Sequence, residues 1–368
     1  MRSLQLLEEA ANWKPVPATQ EIARSALPGK DRPPLYLFGR NEQSAIAAGT
    51  LLPEGFIDDY APPGTTWNGR PVVRCEEAPS GATVVNCALA VRPQTAKDRI
   101  AQAGLRREVS YAELCASLEG AVPWPRIVTE TRADILEHGD RWDDLYRSLA
   151  DDESRRVLWD VTRFRLSGRP EALNGYVFRP RDQYWEGFVP LHEPVFVDAG
   201  GFDGETTELF ASRHPDYRKV HFFEPAPSSM AVARERLRSV REVDFIMKGL
   251  SNEGATLRFD SNGGSANVIS AQGDTTIEVT TLDQAVPGPV TYVKMDLEGW
   301  EIPALEGSRR HIEQDHPALA VAVYHRAADF WRIPEFVRSI RRDYRLYLRH
   351  YTEGWTETVM YFVPGRLA

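Results

Sequence analysis

The feature that most constrains the fold is a series of short apolar runs in the second half of the chain. Most of these runs are nearly continuous in apolar residues, as expected for parallel strands that helices cover on both faces. Helix-compatible segments at 205–212 and 229–240 separate several of them. The pattern predicts an α/β domain with strands at 195–197, 219–223, 243–246, 290–295 and 319–324.

Two further apolar runs, 344–349 and 358–363, close this block, and only the turn-like segment Thr352–Trp355 separates them. A gap that short favours an antiparallel pair, because a parallel crossover needs roughly a dozen residues or more. We therefore predict a Rossmann-like domain over residues 190–368. Its sheet is expected to be mostly parallel and seven-stranded, with an antiparallel C-terminal hairpin.

A smaller α/β pattern precedes this block. Leu35–Phe38 reads as a strand that leads into a helix, and 82–88 reads as another buried strand. We predict a small Rossmann-like domain for substrate binding or assembly over residues 1–120. A mostly helical connector is expected over residues 121–189.

Composition limits the classes of partner. The 368 residues include 53 acidic and 44 basic ones, and the resulting net charge of −9 opposes binding to nucleic acid. No apolar run approaches the roughly 20 residues of a membrane span, and Glu8 and Glu9 stand where a signal peptide would be apolar. The three widely spaced cysteines fit neither a disulfide framework nor a zinc site. The sequence predicts a cytoplasmic protein and leaves a homo-oligomer open.

Glycines and acidic residues follow the predicted strands at the edge where α/β sheets bind ligands. The first strand of the large block runs into Asp198–Gly204, and the second ends at Glu224. The glycines would let a nucleotide approach the backbone, but Asp198 and Asp203 would repel a pyrophosphate. Acids suit a ligand with cationic groups and a ribose. S-adenosylmethionine is such a ligand, with Glu224 placed to accept the ribose hydroxyls.

Three more residues at strand ends are candidates for chemistry. His325 follows the fifth strand, and a neutral imidazole near pH 7 can take a hydroxyl proton. The plain alternative is a histidine that caps the strand or bonds a neighbouring carboxylate. Asp296 and Glu298 end the fourth strand. A divalent metal is possible there but not favoured, because two carboxylates do not make a metal site. In the simpler reading, Asp296 contacts cofactor or substrate and Glu298 orders the loop.

The large block contains five separated motifs, Val197–Gly204, Phe223–Pro225, Thr281–Asp283, Val293–Gly299 and Tyr324-His325. Together these motifs resemble the FkbM family of S-adenosylmethionine-dependent methyltransferases. The resemblance covers about residues 190–364, and two upstream segments, 149–154 and Asp182–Tyr184, resemble parts of longer members. It implies O-methylation of a hydroxyl on a sugar, a glycan or a polyketide-type small molecule.

The resemblance also implies roles for individual residues. Asp198 and the glycines would line the methionine part of the cofactor, Glu224 the ribose, and the segment around Leu250 the adenine. From their positions after the fifth and fourth strands, His325 and Asp296 are the predicted catalytic residues. The full set of predicted cofactor contacts is Asp198, Gly200, Gly201, Gly204, Glu224, Leu250 and Asp296.

Two other classes of function stay open at this point. One is a non-catalytic protein that keeps a cofactor pocket or binds a nucleotide sugar, for which Phe38–Asn41 after the first small-block strand is the candidate site. The other is a nucleotide-dependent oxidoreductase. Binding of labelled S-adenosylmethionine rather than NAD would separate these classes from a methyltransferase.

Overall fold

The computed structural model describes residues 1–260, 268–269 and 275–365, which form two compact units. The first unit comprises Met1–Asp143, Arg156–Arg179 and Tyr351–Thr356. The second comprises Asp144–Arg155, Pro180–His350 and Glu357–Ala368. Most of the segment predicted as a connector therefore belongs to the first unit. Both units combine helices with mainly parallel sheets, so the predicted α/β class is confirmed.

The helices are α1 Ser3–Asn12, α2 Pro17–Ser25, α3 Glu42–Leu51, α4 Pro93–Gln102, α5 Tyr111–Ser117, α6 Arg126–Ser148, α7 Asp152–Ser167, α8 Glu205–Arg213, α9 Pro227–Arg236, α10 Leu282–Ala285, α11 Glu301–Glu306, α12 Arg309–Gln314 and α13 Asp329–Ile340. Across the described ranges, no helix has both the length and the apolar character needed to span a membrane.

The strands are β1 Leu35–Phe38, β2 Gly55–Ile57, β3 Thr66–Trp67, β4 Arg70–Val73, β5 Thr83–Asn86, β6 Arg107–Ser110, β7 Val195–Ala199, β8 Lys219–Phe223, β9 Val243–Ile246, β10 Gly249–Leu250, β11 Ala255–Asp260, β12 Val268–Ile269, β13 Thr275–Thr280, β14 Tyr292–Met295, β15 Ala318–Ala322, β16 Tyr344–His350 and β17 Thr358–Pro364.

The first unit is built on a six-stranded sheet in the order β3-β4-β2-β1-β5-β6. All its pairs are parallel except the short β3–β4 hairpin. Leu35, Leu37 and Phe56 are fully buried and anchor the core. Helix α3 begins directly after β1 because the Asn41 side chain accepts a hydrogen bond from the Ser44 amide in a capping box. The carboxyl ends of β1, β2 and β5 thus meet at one edge of the sheet.

The second unit contains a seven-stranded sheet in the order β16-β17-β15-β14-β7-β8-β9. Strands β15, β14, β7, β8 and β9 are parallel, and β17 runs antiparallel to both of its neighbours. The predicted C-terminal hairpin is therefore confirmed. The central strands are buried on both faces, which is why their sequences are apolar at successive positions.

A four-stranded sheet in the order β10-β13-β11-β12 was not predicted. Its longer strands, β11 and β13, read Ala-Thr-Leu-Arg-Phe-Asp and Thr-Thr-Ile-Glu-Val-Thr. They alternate apolar and polar residues because only one face is covered. The prediction missed these strands because it relied on continuous apolar runs.

A segment that precedes the large sheet in sequence packs onto its edge strand. The Ala150 amide donates to the Leu346 carbonyl at 2.8 Å, and the Leu348 amide donates to Ser154 Oγ at 2.9 Å. The buried guanidinium of Arg349 pairs with Asp151 at 2.8 Å. Residues 144–155 are therefore part of the second unit, although the next segment of the chain, Arg156–Arg179, belongs to the first unit.

A buried ion pair joins the two central strands of this sheet. The register places Lys294 of β14 opposite Asp198 of β7, and Lys294 Nζ lies 3.0 Å from Asp198 Oδ1. The other carboxylate oxygen accepts from Thr207 Oγ1 at 2.7 Å. Burial alone would lower the pKa of Lys294, but Asp198 and neighbouring acids outweigh it and raise that pKa. The ammonium is therefore charged and compensated.

Removal of one partner of this pair is expected to destabilise the protein strongly. Asp198→Asn leaves a charged lysine buried without its carboxylate, at a cost of about 3–5 kcal/mol in the free energy of unfolding. The double variant Asp198→Asn/Lys294→Met should recover a large part of that loss. Urea denaturation followed by circular dichroism measures both.

A matched control is Asp244→Asn, which removes an exposed partner of Lys219 at 3.0 Å. It should cost less than about 1 kcal/mol. Equal losses for Asp198→Asn and Asp244→Asn would contradict the structural role of the buried pair.

Candidate functional site

The sheet of the second unit brings the predicted site residues to one edge. Strands β15, β14, β7 and β8 are consecutive neighbours, so the residues that follow them lie side by side. His325 lies just beyond β15, Asp296 follows β14, Asp198 lies near the end of β7, and Glu224 follows β8. Ligands of open α/β sheets bind at this edge.

The glycine-rich turn after β7 packs tightly against the neighbouring strand. Gly200 has a φ of +76°, and a Cβ atom there would lie 2.0 Å from the Asp296 carbonyl oxygen. The Gly200 carbonyl accepts a hydrogen bond from Lys294 Nζ at 2.7 Å. Gly204, with a φ of +86°, forms the N-cap of α8. The glycines are thus required by backbone packing as well as by any ligand.

Glu224 holds the same turn from the β8 side. Its Oε2 accepts from the Phe202 amide at 3.0 Å and its Oε1 from the Ala226 amide at 2.8 Å. Burial raises the pKa of Glu224 to about 7. An ionised carboxylate has about four acceptor positions, so two remain for hydroxyl donors after these backbone bonds.

Other predicted cofactor contacts lie deeper than the strand ends. Asp198 is fully buried, and both its oxygens face partners inside the protein, Lys294 and Thr207. Leu250 is buried in β10, which pairs with β13. Asp203, which was expected to repel a pyrophosphate, is paired with Arg236 at 2.7 Å.

Asp296 and His325 lie together with further acids. His325 Nε2 lies 3.4 Å from Asp296 Oδ1 and 3.2 Å from Glu298 Oε2. His325 Nδ1 lies 3.0 Å from Oε1 of Glu301, a residue that is buried at the start of α11. The predicted catalytic pair is thus part of a cluster of one imidazole and three carboxylates.

The surroundings of His325 change its expected protonation. Burial alone lowers the pKa of His325, but Glu301, Glu298 and Asp296 outweigh it and hold the pKa well above its usual value. The structure therefore favours a charged imidazole near pH 7, and the prediction of a neutral one is wrong. Burial also raises the pKa of Glu298.

Two tyrosines and a glutamine complete this edge and were not predicted as site residues. Tyr184 Oη donates to Asp296 Oδ2 at 3.0 Å, and Tyr324 Oη lies 3.3 Å from Asp296 Oδ1. Gln183 donates to Glu357, a carboxyl whose pKa is raised to about 7 by burial and by Asp296. The motif 182–184 was a usable signal for Gln183 and Tyr184. No sequence signal pointed to Glu357, because it lies between β16 and β17, far along the chain from the motif at 182–184.

The first unit has a cavity of its own at the carboxyl ends of β1 and β2. It has a volume of about 610 Å³, and its lining includes Phe38, Arg40, Asp58, Tyr60, Trp67 and Arg92. Arg40 pairs with Asp58 at 2.7 Å, and Tyr60 is 91% exposed. The sheet order changes direction at β1, which lies between β2 and β5, and ligands of such sheets bind at this kind of position.

Comparison with solved structures shows the fold. The FkbM methyltransferase of Methylobacillus flagellatus KT matches with a TM-score of 0.73 and 21% identity over 98% of each chain. An rRNA methylase of Streptococcus thermophilus matches with a TM-score of 0.33 and 17% identity, over 47% of this chain and 88% of that chain. The fibrillarin of Aeropyrum pernix, solved with natively bound S-adenosyl-L-methionine, matches with 0.32 and 12%, over 50% and 71%. These last two scores are too low to carry an argument.

Comparison of sequences finds one similarity to a known family. No protein with a curated description matches the chain. Residues 198–351 match the family model described as the Methyltransferase FkbM domain. This range contains Asp198, Glu224, Asp296 and His325, and it confirms the resemblance drawn from the motifs. Residues 198–351 are therefore similar to the FkbM methyltransferase domain.

Proposed function

We propose that the protein transfers a methyl group from S-adenosylmethionine to a hydroxyl of a sugar, a glycan or a polyketide-type small molecule. The observation that carries this proposal is the edge of the second unit, where Glu224 and the Asp296–His325 pair follow neighbouring parallel strands of an FkbM domain. The match to a methyltransferase family supports methyl transfer rather than oxidoreductase activity or binding without catalysis.

On the cofactor side, Glu224 is the residue that accepts the ribose hydroxyls. Its position is held by the amides of Phe202 and Ala226, so little reorganisation is needed when the ligand binds. The turn at Gly200 and Gly201 brings the backbone close to the methionine part. Asp198 acts indirectly, because its carboxylate holds Lys294, and Lys294 holds the Gly200 carbonyl.

On the acceptor side, Asp296 and His325 border the place where the hydroxyl must lie. The hydroxyl oxygen attacks the methyl carbon, the carbon–sulfur bond breaks, and its electron pair returns to sulfur. The hydroxyl proton passes to the Asp296 carboxylate, whose Oδ1 lies 3.4 Å from His325 Nε2. Most of the rate enhancement in such an in-line transfer comes from holding the reactants in line, which supplies roughly 7–11 kcal/mol.

The cavity of the first unit is proposed to bind a sugar. Its exposed Tyr60 and its Trp67 offer flat apolar faces, on which sugar rings stack. The Arg40–Asp58 pair offers donors and acceptors for hydroxyl groups without an excess of charge. A pocket of this volume lies within the range of about 300–1,000 Å³ that is usual for small-molecule sites.

Substitution of Glu224 tests the cofactor site. Glu224→Gln should weaken binding of S-adenosylmethionine and of its demethylated product by about 1.5–3 kcal/mol, because charge-assisted hydrogen bonds are lost. The parent protein should bind both more weakly as the pH falls through about 7, where Glu224 takes up a proton, whereas Glu224→Gln should show no such step. Calorimetry at pH 6 and pH 8 measures this, and unchanged affinity in the variant would rule out Glu224 as the ribose acceptor.

Substitution of His325 tests the acceptor side. His325→Ala should lower kcat by roughly 10²–10⁴ and leave the Kd for S-adenosylmethionine nearly unchanged. The control is His192→Ala, because the His192 side chain is 92% exposed and lies outside the cluster. A kcat close to that of the parent protein would remove His325 from the mechanism.

The sugar cavity is tested by binding. Saturation-transfer NMR with a panel of monosaccharides and disaccharides should reveal a ligand of the full chain, and Tyr60→Ala should abolish its signal. Leu136→Ala, at a side chain that is 73% exposed, serves as a surface control. If no sugar gives a signal, or if the signal is unchanged in Tyr60→Ala, the cavity does not bind a sugar.

A further inference from the structure

We propose that Asp296, Glu298 and His325 form a binding site for one divalent cation of the Mn²⁺ type. The sequence offered only the two carboxylates, and the fold adds an imidazole as the third ligand. The candidate ligand atoms of the three residues all lie within 4.8 Å of one another. The role given to this ion below rests on the proposed methyl transfer, but the site itself does not.

The spacing of the ligand atoms fits a common metal ion. Neighbouring ligands of an ion bound at about 2.1 Å in octahedral geometry are roughly 3 Å apart. His325 Nε2 lies 3.4 Å from Asp296 Oδ1 and 3.2 Å from Glu298 Oε2. Among the described residues, Nε2 has no partner in hydrogen-bond geometry, although the side chain is only 8% exposed. A buried nitrogen that faces two carboxylates without a hydrogen bond is a nitrogen suited to a metal.

Residues behind the three ligands hold them in orientation. His325 Nδ1 lies 3.0 Å from Glu301 Oε1, and metal-binding histidines usually direct their second nitrogen to such a carboxylate. Glu301 is itself held by the Leu297 amide at 2.8 Å. Tyr184 Oη donates to the Asp296 carboxylate at 3.0 Å. Glu301 and Tyr184 are thus positioning residues for this site.

The charge of the cluster also calls for a cation. Asp296, Glu298 and Glu301 surround a single imidazole. Buried carboxylates that share a site repel one another unless a cation or protons compensate them. A divalent ion would provide that compensation at the centre of the cluster.

The ligand types select the ion and suggest its use. Two carboxylates favour Mg²⁺, Ca²⁺ and Mn²⁺, whereas an imidazole favours the transition metals, and Mn²⁺ satisfies both preferences. An ion here would bind the acceptor hydroxyl and lower its pKa before the oxygen attacks the methyl carbon. Metal binding would therefore set which hydroxyl of the acceptor is activated.

Direct titration tests the site on the full chain. Protein freed of metal with a chelator is titrated with Mn²⁺ and followed by electron paramagnetic resonance, and one bound ion per chain is expected. Glu301→Gln should weaken Mn²⁺ binding by about 10–100-fold, and Glu298→Gln and His325→Ala should weaken it at least as much. Nitrogen coupling to the bound Mn²⁺ should disappear in His325→Ala.

The control is Asp244→Asn, which removes a carboxylate that lies 3.4 Å from another histidine, His221. It should bind Mn²⁺ like the parent protein. Failure of Mn²⁺ to bind, or equal binding by Glu298→Gln and the parent, would overturn the site. Calorimetry with the demethylated cofactor on the same samples tests the proposed function separately, and methyl transfer that survives chelation would overturn the role of the ion in catalysis.

Discussion

The buried contact between Asp198 and Lys294 is the interaction on which the rest of the site depends. It joins the two central strands of the large sheet at their carboxyl ends, and the same ammonium holds the Gly200 carbonyl. A buried ion pair contributes little net stability compared with an apolar pair. Removal of one partner nevertheless destabilises the protein strongly, because the other charge stays buried without compensation. The pair therefore specifies how the glycine turn sits against Asp296, which in turn sets the space left for a ligand.

Along the strand-end edge of the second unit the protein concentrates carboxyl groups that a stable core would avoid. Burial raises the pKa of Glu298, and it raises those of Glu224 and Glu357 to about 7. Ionisation of these carboxyls is therefore unfavourable while no ligand is bound. A ligand that supplies hydrogen-bond donors or a cation would stabilise the ionised forms. Groups with shifted pKa values gather at functional sites for this reason. The proposed cofactor would supply hydroxyl donors to Glu224, and the proposed metal ion would compensate the carboxylates beside His325.

Much of the architecture was predictable because buried parallel strands have a distinctive composition. The strands at 195–199 and 318–322 are apolar at all positions or all but one, and the turn at 352–355 is too short for a crossover. The sheet formed by β10 to β13 escaped prediction because β13 is half exposed and its apolar residues alternate with polar ones. The grouping of residues 144–155 with the second unit also escaped, since it depends on contacts of Arg349 and Leu346 with residues almost 200 positions away.

By itself, the sequence determined the α/β class, the identity of the strand-end residues and their resemblance to FkbM methyltransferases. It could not say which strand ends become neighbours in space, because sheet order is decided by packing between distant segments. Only the tertiary structure showed that Asp198 faces Lys294 and that Tyr184, Glu301 and His325 converge on one place. The charge state of a side chain follows from such neighbours and from burial, so the protonation of His325 was a property of the fold and not of its position in the sequence.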